Sequence, residues 1–291
     1  MKLGALVELT KPKVTVLNIA VGLTCFVLAG FPSLNWAGAI AYFIVGYMVV
    51  GGCGTLNCYL DRDIDAVMER TRRRAIPTGR VSPRTALAWG AVLVVFGLAS
   101  TILLFGAETT LYVSLGSIFY LAVYTLWLKR SSRWNVILGA AAGSFAALSG
   151  WSAAGLPLAA TPLLVGLLDF LWTPGHLWSL AIKRVDEYRE AGVPMLPVAS
   201  GVGPASRLVL AFNSATIAFT LILPVLGLTG IVFVAASAWS CGRLIRSTKD
   251  LASTPSPELG GIVYLASMPF LGSVMLGLLL DRIIFLPLPW R

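Results

Sequence analysis

Charged side chains are scarce in this chain, and their scarcity excludes a water-soluble fold. Only 12% of the 291 residues are Asp, Glu, Lys or Arg, whereas 57% are hydrophobic and the mean hydropathy is +0.83. Lipid must therefore be the main solvent. Backbone that faces lipid has no water to hydrogen-bond, so it forms helices or a closed barrel. The apolar runs are continuous and about 18 to 25 residues long, which predicts an all-α integral membrane fold.

Cysteine and histidine are also rare, and soluble segments are missing. The chain has one histidine and four cysteines. The cysteines lie in or at the ends of apolar runs without metal-ligand spacing, so we interpret them as packing residues. They are Cys25, Cys53, Cys58 and Cys241. Neither a soluble domain nor a low-complexity linker interrupts the chain, which predicts one polytopic membrane domain over residues 1–291.

Nine apolar runs predict nine transmembrane helices. We expect them near residues 14–30, 36–58, 85–106, 110–128, 134–154, 158–183, 205–225, 229–243 and 261–280. Lys and Arg accumulate on the cytoplasmic side of membranes. With the N-terminus inside, 20 of the 22 basic residues fall in inner segments, leaving Arg282 and Arg291 outside. This charge pattern predicts an N-in, C-out topology. A cleaved signal peptide at the first run would leave eight spans and disturb that pattern.

The net charge of +9 does not indicate nucleic-acid binding, because the basic residues lie in loops between spans. There they orient the chain and contact anionic headgroups of the bilayer. Two inner loops, residues 57–84 and 183–204, are long and charged, whereas the outer loops are short and nearly uncharged. We therefore expect the active site on the cytoplasmic side, with one acidic loop in each half of the chain.

Three oxygen-bearing side chains, Asn57, Asp61 and Asp65, are spaced by four residues at the end of the second predicted helix. This spacing places them on one helix face. Mg²⁺ prefers such oxygen ligands and commonly binds one or two carboxylates together with substrate phosphates. Acids exposed to water are the alternative, but acids near a helix C-terminus and like charges four residues apart are both unfavourable. We predict that Asp61 and Asp65 bind Mg²⁺ and that Asn57 belongs to the catalytic site.

Basic residues follow these acids closely. Guanidinium groups bind phosphate oxygens bidentately, so acids followed by arginines predict a site for a metal-bridged diphosphate. The candidate diphosphate-binding residues are Arg70, Arg74, Arg80, Lys129, Lys183 and Arg184. Membrane anchoring alone is the alternative for Arg72 and Arg73.

The second inner loop mixes acids and bases at helical spacing. Its acidic residues are Asp186, Glu187 and Glu190. Alone the pattern is typical of many solvated loops. As the partner of the first acidic cluster, it predicts ligands for a second metal ion and a contact with the other side of the diphosphate.

Several segments carry a resemblance to a known family. Asn57-x-x-x-Asp61-x-x-x-Asp65 resembles the first aspartate-rich motif of the UbiA-type intramembrane prenyltransferases. Further segments resemble its protohaem IX farnesyltransferase (haem O synthase) branch. They are Leu9-Thr10-Lys11-Pro12-Lys13-Val14, Arg70-Thr71, Trp172-Thr173-Pro174-Gly175-His176-Leu177-Trp178 and Tyr188-Arg189-x-Ala191-Gly192-Val193-Pro194-Met195-Leu196-Pro197. The chain departs from the family at Ala75 and Gly175, where proline is usual, and has Lys183 and Arg184 where other branches have an acid.

The resemblance implies a UbiA-like bundle of nine helices around a central cavity, in the plasma membrane, with the acidic loops at the cytoplasmic mouth. The implied reaction joins farnesyl diphosphate, haem B and water to give haem O and diphosphate. Mg²⁺ is the implied cofactor, whereas haem B is a substrate rather than a permanent cofactor. The implied recipient of the product is a haem A synthase or the assembly of a terminal oxidase.

Asp169 and His176 lie inside the predicted sixth helix, about two turns apart on nearly the same face. An ionisable residue at membrane depth costs about 3 kcal/mol or more unless it is paired, so it faces a cavity or a partner. We expect the Thr173-Pro174-Gly175 segment to break the helix. We predict that His176 contacts haem, either as an axial iron ligand or by placing the water. A hydrogen bond across helices, through Asp169, is the structural alternative.

Two other functions fit parts of the pattern. A prenyltransferase of the same family acting on a quinone-ring precursor or an archaeal lipid glycerol ether would share the acidic motifs. A transporter of a phosphorylated solute would use the acids as ligands of a coupling ion. Transporters typically carry polar groups near the midplane in both halves and a corresponding broken helix, and this sequence has Asp169 and His176 in one helix only.

Overall fold

The computed structural model describes residues 3–284, and the regular structure in that range is helical throughout. This confirms the all-α fold class. The described residues form two compact units: residues 3–166 with 187–194, and residues 167–186 with 195–284. Lys2 and Arg291, which enter the charge count above, lie outside the described residues.

The first unit is built mainly from long apolar helices. Its helices are α1 Leu3–Leu9, α2 Pro12–Gly30, α3 Trp36–Leu60, α4 Arg62–Val67, α5 Pro83–Ile118, a π-helix Phe119–Leu128, α6 Lys129–Ser131 and α7 Asn135–Ala153. Asn35 and Ser82 accept hydrogen bonds from the N–H groups of Gly38 and Thr85 and so cap α3 and α5. Within α5, Gly106 has a φ of 81°, which is not helical. The helix is therefore kinked between the two helices expected at 85–106 and 110–128.

Glycine contacts allow helices of this unit to approach closely. A Cβ atom on Gly150 of α7 would lie 1.8 Å from the carbonyl oxygen of Gly22 on α2. A Cβ atom on Gly90 of α5 would lie 3.1 Å from the carbonyl oxygen of Gly52 on α3. Because lipid supplies no hydrophobic driving force between helices, close van der Waals packing of small residues must hold them together.

The second unit contains the greater part of a long helix and four further helices. They are α8 Ala160–Lys183, of which residues 167–183 lie in this unit, α10 Leu196–Ser200, α11 Val202–Val225, α12 Ile231–Ser253 and α13 Pro257–Ile284. The short helix α9, Val185–Glu190, has residues in both units. Asp281 of α13 is buried and accepts hydrogen bonds from the N–H groups of Gly230 and Phe233. A carboxylate there offsets the positive end of the α12 dipole.

Within residues 3–284, six helical stretches are long and apolar enough to cross a membrane, which makes the chain a multi-pass integral membrane protein. They are Pro12–Gly30, Trp36–Leu60, Pro83–Ser131, Asn135–Ala153, Val202–Val225 and Pro257–Ile284. The third contains 49 residues and includes the break at Gly106. The helices α8 and α12 are equally long but more polar, because they carry residues such as Asp169 and Arg243.

Candidate functional site

The first acidic motif is buried where α3 meets α4. Asn57, Asp61 and Asp65 are 4%, 1% and 3% exposed. The N–H of Asp61 bonds to the Asn57 carbonyl at 2.8 Å, and the N–H of Asp65 bonds to the Asp61 carbonyl at 2.7 Å. The i to i+4 bonding therefore continues through the junction and keeps the three side chains on one face, as their spacing predicts. The amide of Asn57 also donates to Asp61 Oδ2 at 2.9 Å.

Basic side chains neutralise each of these acids. The ammonium of Lys129 donates to Asp61 Oδ2, and Arg74 donates to Asp65 Oδ2 at 2.7 Å. Lys129 and Arg74 were both predicted as diphosphate contacts, and the structure brings them directly against the predicted metal ligands. Buried carboxylates are stable only when paired, and these two cations supply the compensating charge.

The π-helix, together with Lys129 directly after it, contacts three polar side chains of the site, and its geometry explains why. Its bonding pattern runs from residue i to i+5, so residues four or five apart share a face. The hydroxyl of Tyr120 lies 3.4 Å from Lys11 Nζ, and Thr125 accepts a hydrogen bond from the Asn57 amide at 3.0 Å. Lys129, at the end of the same stretch, pairs with Asp61. The sequence pattern of this apolar segment does not distinguish a π-helix from an α-helix.

The oxygen array has a donor set suited to Mg²⁺. Asp61 Oδ1 is buried and has no hydrogen-bond partner, and the nearest guanidinium nitrogen of Arg130 is 3.9 Å away. Leaving a buried acceptor unsatisfied costs about 1–3 kcal/mol, which a metal ligand bond would relieve. Residues 3–284 contain no group of three His, Cys, Asp or Glu side chains placed to hold an ion by themselves. A Mg²⁺ ion here would therefore need phosphate oxygens to complete its coordination.

Lys11 is a site residue that the sequence reasoning missed. It adopts left-handed backbone angles, φ 50° and ψ 58°, directly before Pro12. Residues before proline are normally extended, and such strain costs about 1–3 kcal/mol and clusters at functional sites. Its ammonium donates to Asn57 Oδ1, and burial lowers the pKa of this amine. The only sequence signal was its position in a motif quoted for family resemblance.

An apolar cavity begins at Lys11 and runs through the first unit. Its volume is about 170 Å³, and α2, α3, α5 and α7 line it together with the π-helix. Tyr42 and Gly54 both line it and lie twelve residues apart on α3, which corresponds to a length of about 18 Å. At its far end, the Tyr42 hydroxyl lies 2.8 Å from Ser149 Oγ.

Two residues of the second acidic loop lie with the first loop. Glu187 Oε2 accepts a hydrogen bond from the Arg70 N–H at 3.1 Å. Glu190 lines a recess of about 420 Å³ together with Asp63 and Arg130. Arg130 donates two hydrogen bonds of 2.7 Å to Asp63 and holds the pKa of that carboxyl well below its usual range.

The remaining candidate residues of these loops divide between the two units. Asp186, Lys183 and Arg184 belong to the second unit, whereas the first acidic motif belongs to the first. Arg80 is exposed and donates hydrogen bonds of 2.7 Å and 3.0 Å to the carboxylate of Glu8. In this structure Arg80 therefore links α1 to the arginine-rich segment of residues 70–80.

The helix break expected at Thr173-Pro174-Gly175 is wrong, because α8 runs from Ala160 to Lys183 without interruption. Pro174 lacks one N–H, but nearby hydroxyl groups stabilise such helices in membranes. Here Thr173 Oγ1 donates to the Asp169 carbonyl at 2.8 Å. A Cβ on Gly175 would lie 1.9 Å from Asn213 Oδ1, so the glycine admits the side chain of α11.

His176 projects from the middle of α8 towards α13. Its Nδ1 lies 2.7 Å from Ser267 Oγ. His176 therefore bonds across helices, as the structural alternative has it, but its partner is Ser267 rather than Asp169, which is itself buried. The partner of His176 lies 91 positions further along the chain, where no local sequence pattern could have indicated it.

The fold and the buried acidic motif define the class of the protein. The profile of the UbiA prenyltransferase family matches residues 16–258, and the chain belongs to that family.

Within the family, the chain is similar to proteins named protoheme IX farnesyltransferase. The chain is 33% identical over 290 residues to protoheme IX farnesyltransferase 1 of Cenarchaeum symbiosum, covering 98% of both chains. It is 35% identical over 282 residues to protoheme IX farnesyltransferase 1 of Pseudomonas fluorescens, covering 97% of this chain and 94% of the relative. It is also 35% identical over 281 residues to the protoheme IX farnesyltransferase of a Roseiflexus species, covering 96% of this chain. The chain spans 52% of that relative, about half of its length.

Solved structures share the fold at low sequence identity. A digeranylgeranylglyceryl phosphate synthase matches with a TM-score of 0.75 and 16% identity, covering 97% of this chain and 98% of the other. A UbiA homologue from Archaeoglobus fulgidus, bound to DMAPP and Mg²⁺, matches with a TM-score of 0.72 and 17% identity, covering 92% and 98%.

Proposed function

We propose that this chain transfers the farnesyl group of farnesyl diphosphate to a vinyl group of haem B, with addition of water, to give haem O and diphosphate. The relatives at 33–35% identity carry the name of this activity and align with nearly the whole chain. The observation that carries the proposal is the buried oxygen array of Asn57, Asp61 and Asp65, which is hydrogen-bonded to Lys11, a residue that lines the apolar cavity. A diphosphate and an isoprenoid chain need these two environments side by side.

The diphosphate binds where acids and cations are paired in the ligand-free chain. Asp61 and Asp65 hold Mg²⁺, with Asn57 beside them, and Lys129 and Arg74 turn from these acids to the phosphate oxygens. Mg²⁺ supplies stabilisation of the negative charge that develops on the departing diphosphate. A bound Mg²⁺ would supply positive charge at these carboxylates, so that Lys129 and Arg74 can pair with the negatively charged diphosphate.

Other residues contribute further contacts in this proposal. Arg70, Arg80, Lys183 and Arg184 add positive charge around the diphosphate, and Asp186, Glu187 and Glu190 supply ligands for a second metal ion. Arg80 must first leave Glu8, to which it is bonded in the structure. Glu187 is already fixed against the first loop through the Arg70 N–H.

The apolar cavity holds the farnesyl chain and excludes water from it. An extended farnesyl group is of the same order of length as the distance of about 18 Å along α3 from Gly54 to Tyr42. Departure of the diphosphate breaks the bond between its oxygen and farnesyl C1 and leaves an allylic cation. A dry wall protects this cation from premature capture by water.

The second unit binds the acceptor through His176. The electron pair of a haem vinyl group forms the new bond to farnesyl C1, and the positive charge moves to the carbon beside the porphyrin ring. Water adds to that carbon and loses a proton, which yields the hydroxyfarnesyl side chain of haem O. His176 has one of two roles in this step: it binds the haem iron, or it places this water.

The proposal includes the orientation of the chain. Nine spans, an N-terminus in the cytoplasm and a C-terminus outside agree with the distribution of Lys and Arg in the sequence. The acidic loops then face the cytoplasm across the plasma membrane, and the product passes to a haem A synthase or to terminal-oxidase assembly.

Mass spectrometry of haems tests the proposal directly. The purified chain is incubated with farnesyl diphosphate, Mg²⁺ and haem B, and in parallel with 4-hydroxybenzoate in place of haem B. We expect a haem derivative heavier by one hydroxyfarnesyl unit and no prenylated benzoate. Prenylated benzoate without haem O would favour a quinone-type acceptor, and transport of a diphosphate without either product would favour the transporter.

A further inference from the structure

The imidazole of His176 lies between two aromatic rings in the second unit. The Trp172 ring is stacked on it, with 4.3 Å between centroids and 20° between planes. The Tyr264 ring lies 4.6 Å away with an interplanar angle of 32°. Two rings that are so close and so nearly parallel to the imidazole cannot share one face, so they flank it. The plane of the imidazole is therefore fixed by packing.

One hydroxyl group fixes the position of the imidazole proton. Ser267 Oγ lies 2.7 Å from the Tyr264 carbonyl oxygen and 2.7 Å from His176 Nδ1. A serine hydroxyl has a single proton, and only that proton can bridge the two oxygens. When that proton lies on the carbonyl, Nδ1 carries a hydrogen and donates it to Ser267 Oγ. The lone pair of the neutral imidazole is left on Nε2.

The surroundings of Nε2 favour a ligand over a proton acceptor. Among residues 3–284, none forms a hydrogen bond or ion pair with this nitrogen, and the His176 side chain is partly exposed. A histidine that acts as a base is usually supported by a carboxylate that stabilises the imidazolium, whereas Ser267 is neutral. Histidines that bind metals almost always donate their other N–H to an acceptor, as His176 does.

We propose that Ser267 is a positioning residue, which holds His176 in the tautomer whose Nε2 binds the iron of a haem. This inference rests on the proposed function, in which haem B is the acceptor substrate, and it selects iron binding over water placement. Neutral imidazole is a common haem-iron ligand. Ser267 also accepts a hydrogen bond from Trp172 Nε1 through its carbonyl at 2.9 Å, so one residue holds both the ring and its flank.

Haem titration of the full chain in lipid nanodiscs tests this inference. Haem B is added to the parent and to single variants, and the Soret band and the affinity are measured. His176→Ala should shift the Soret band. Ser267→Ala should weaken haem binding by about 10- to 100-fold, the usual effect of losing a hydrogen-bond partner of a metal-binding histidine. Ser267→Thr keeps a hydroxyl and should restore most of the affinity.

Ser273→Ala is the matched control. Ser273 lies on the same helix and, like Ser267, donates to the carbonyl three residues back, at 2.9 Å. It also contacts Ser240 at 2.6 Å, so its removal tests the general loss of a hydrogen-bonded, partly buried hydroxyl on α13. We expect Ser273→Ala to lower thermal stability without changing the Soret band or the haem affinity.

Three outcomes would overturn the inference. They are an unchanged Soret band in His176→Ala, parental haem affinity in Ser267→Ala, and equal loss of affinity in Ser267→Ala and Ser273→Ala. Restoration of the parental Soret band by free imidazole in His176→Gly would support it. A parent that binds haem through His176 but forms no haem O would refute the proposed function alone. A parent that forms haem O, while both His176 and Ser267 variants keep its spectrum, would refute the inference alone.

Discussion

The charged cluster of the first unit and the surroundings of His176 in the second handle buried polar groups in opposite ways. Around Asn57, Asp61 and Asp65 the chain places charge against charge, with Lys11, Lys129 and Arg74 as direct partners. Around His176 it places two aromatic rings and one hydroxyl. Paired charges can be exchanged for a metal and a diphosphate, whereas a neutral lone pair is kept available for a metal that arrives with its own ligands.

The largest expected effect is the loss of a carboxylate from the charged cluster. Asp61→Asn keeps the shape of the side chain but removes the charge next to Lys129 and the unsatisfied Oδ1. We expect turnover to fall by about a hundredfold to a thousandfold or more, as for the loss of a main transition-state contact. Haem binding should persist, because we propose that it depends on His176 in the second unit.

Asp63→Asn is the matched control for this experiment. Asp63 is two residues away and pairs with Arg130 at the surface. Exposed ion pairs contribute about 0–1 kcal/mol, so activity should stay within about fivefold of the parent. Assays over a range of Mg²⁺ concentrations would contradict the metal assignment if Asp61→Asn retained near-normal turnover without added Mg²⁺.

A smaller effect is expected for Lys11, which tests whether the charged cluster extends to α2. Lys11→Met removes the ammonium that contacts Asn57 while keeping an unbranched side chain. We expect kcat/KM for farnesyl diphosphate to fall by about 10- to 100-fold, corresponding to one charged hydrogen bond of about 1.5–3 kcal/mol. Lys13→Met changes an exposed lysine two positions on and should have little effect. Equal kinetics for the two variants would remove Lys11 from the site.

Tyr42 tests the apolar part of the first unit and should change specificity more than rate. Tyr42→Ala opens the far end of the cavity, so a donor one isoprene unit longer should gain about tenfold in kcat/KM relative to farnesyl diphosphate. Tyr42→Phe loses the contact with Ser149 but keeps the ring, and should retain the parental preference. The preference is measured by letting the two donors compete in one reaction and comparing the amounts of the two products by mass spectrometry. An unchanged ratio in Tyr42→Ala would place the prenyl chain elsewhere.

The smallest effect concerns Arg80, where two roles compete. If Arg80 serves only to bind α1 through Glu8, then Arg80→Ala and Glu8→Ala should each lower thermal stability slightly, and the double variant should lower it no more than either single change. KM for farnesyl diphosphate would be unchanged. A rise in KM for Arg80→Ala but not for Glu8→Ala would show that Arg80 contacts the diphosphate and leaves Glu8 during turnover.

Patterns that depend on neighbours along the chain were predicted well from the sequence. Apolar runs located the long helices, including the interruption at Gly106, since hydropathy is a property of consecutive residues. The four-residue spacing of Asn57, Asp61 and Asp65 set their common face, because the helical repeat fixes it. Pro174 misled the prediction, since a membrane helix tolerates a proline where Thr173 can satisfy the freed backbone.

Only the tertiary structure decided which distant groups meet. Lys11 reaches Asn57 across 46 positions, Lys129 reaches Asp61 across 68, and Ser267 reaches His176 across 91. The π-helix that presents Tyr120 and Thr125, and that leads into Lys129, differs from an α-helix by its hydrogen-bond register rather than by its composition. Composition and local periodicity were enough to predict the membrane environment, the long helices and the shared face of the acidic motif. The partners of each buried polar group follow from helix packing, which sums many weak contacts between residues far apart in the chain.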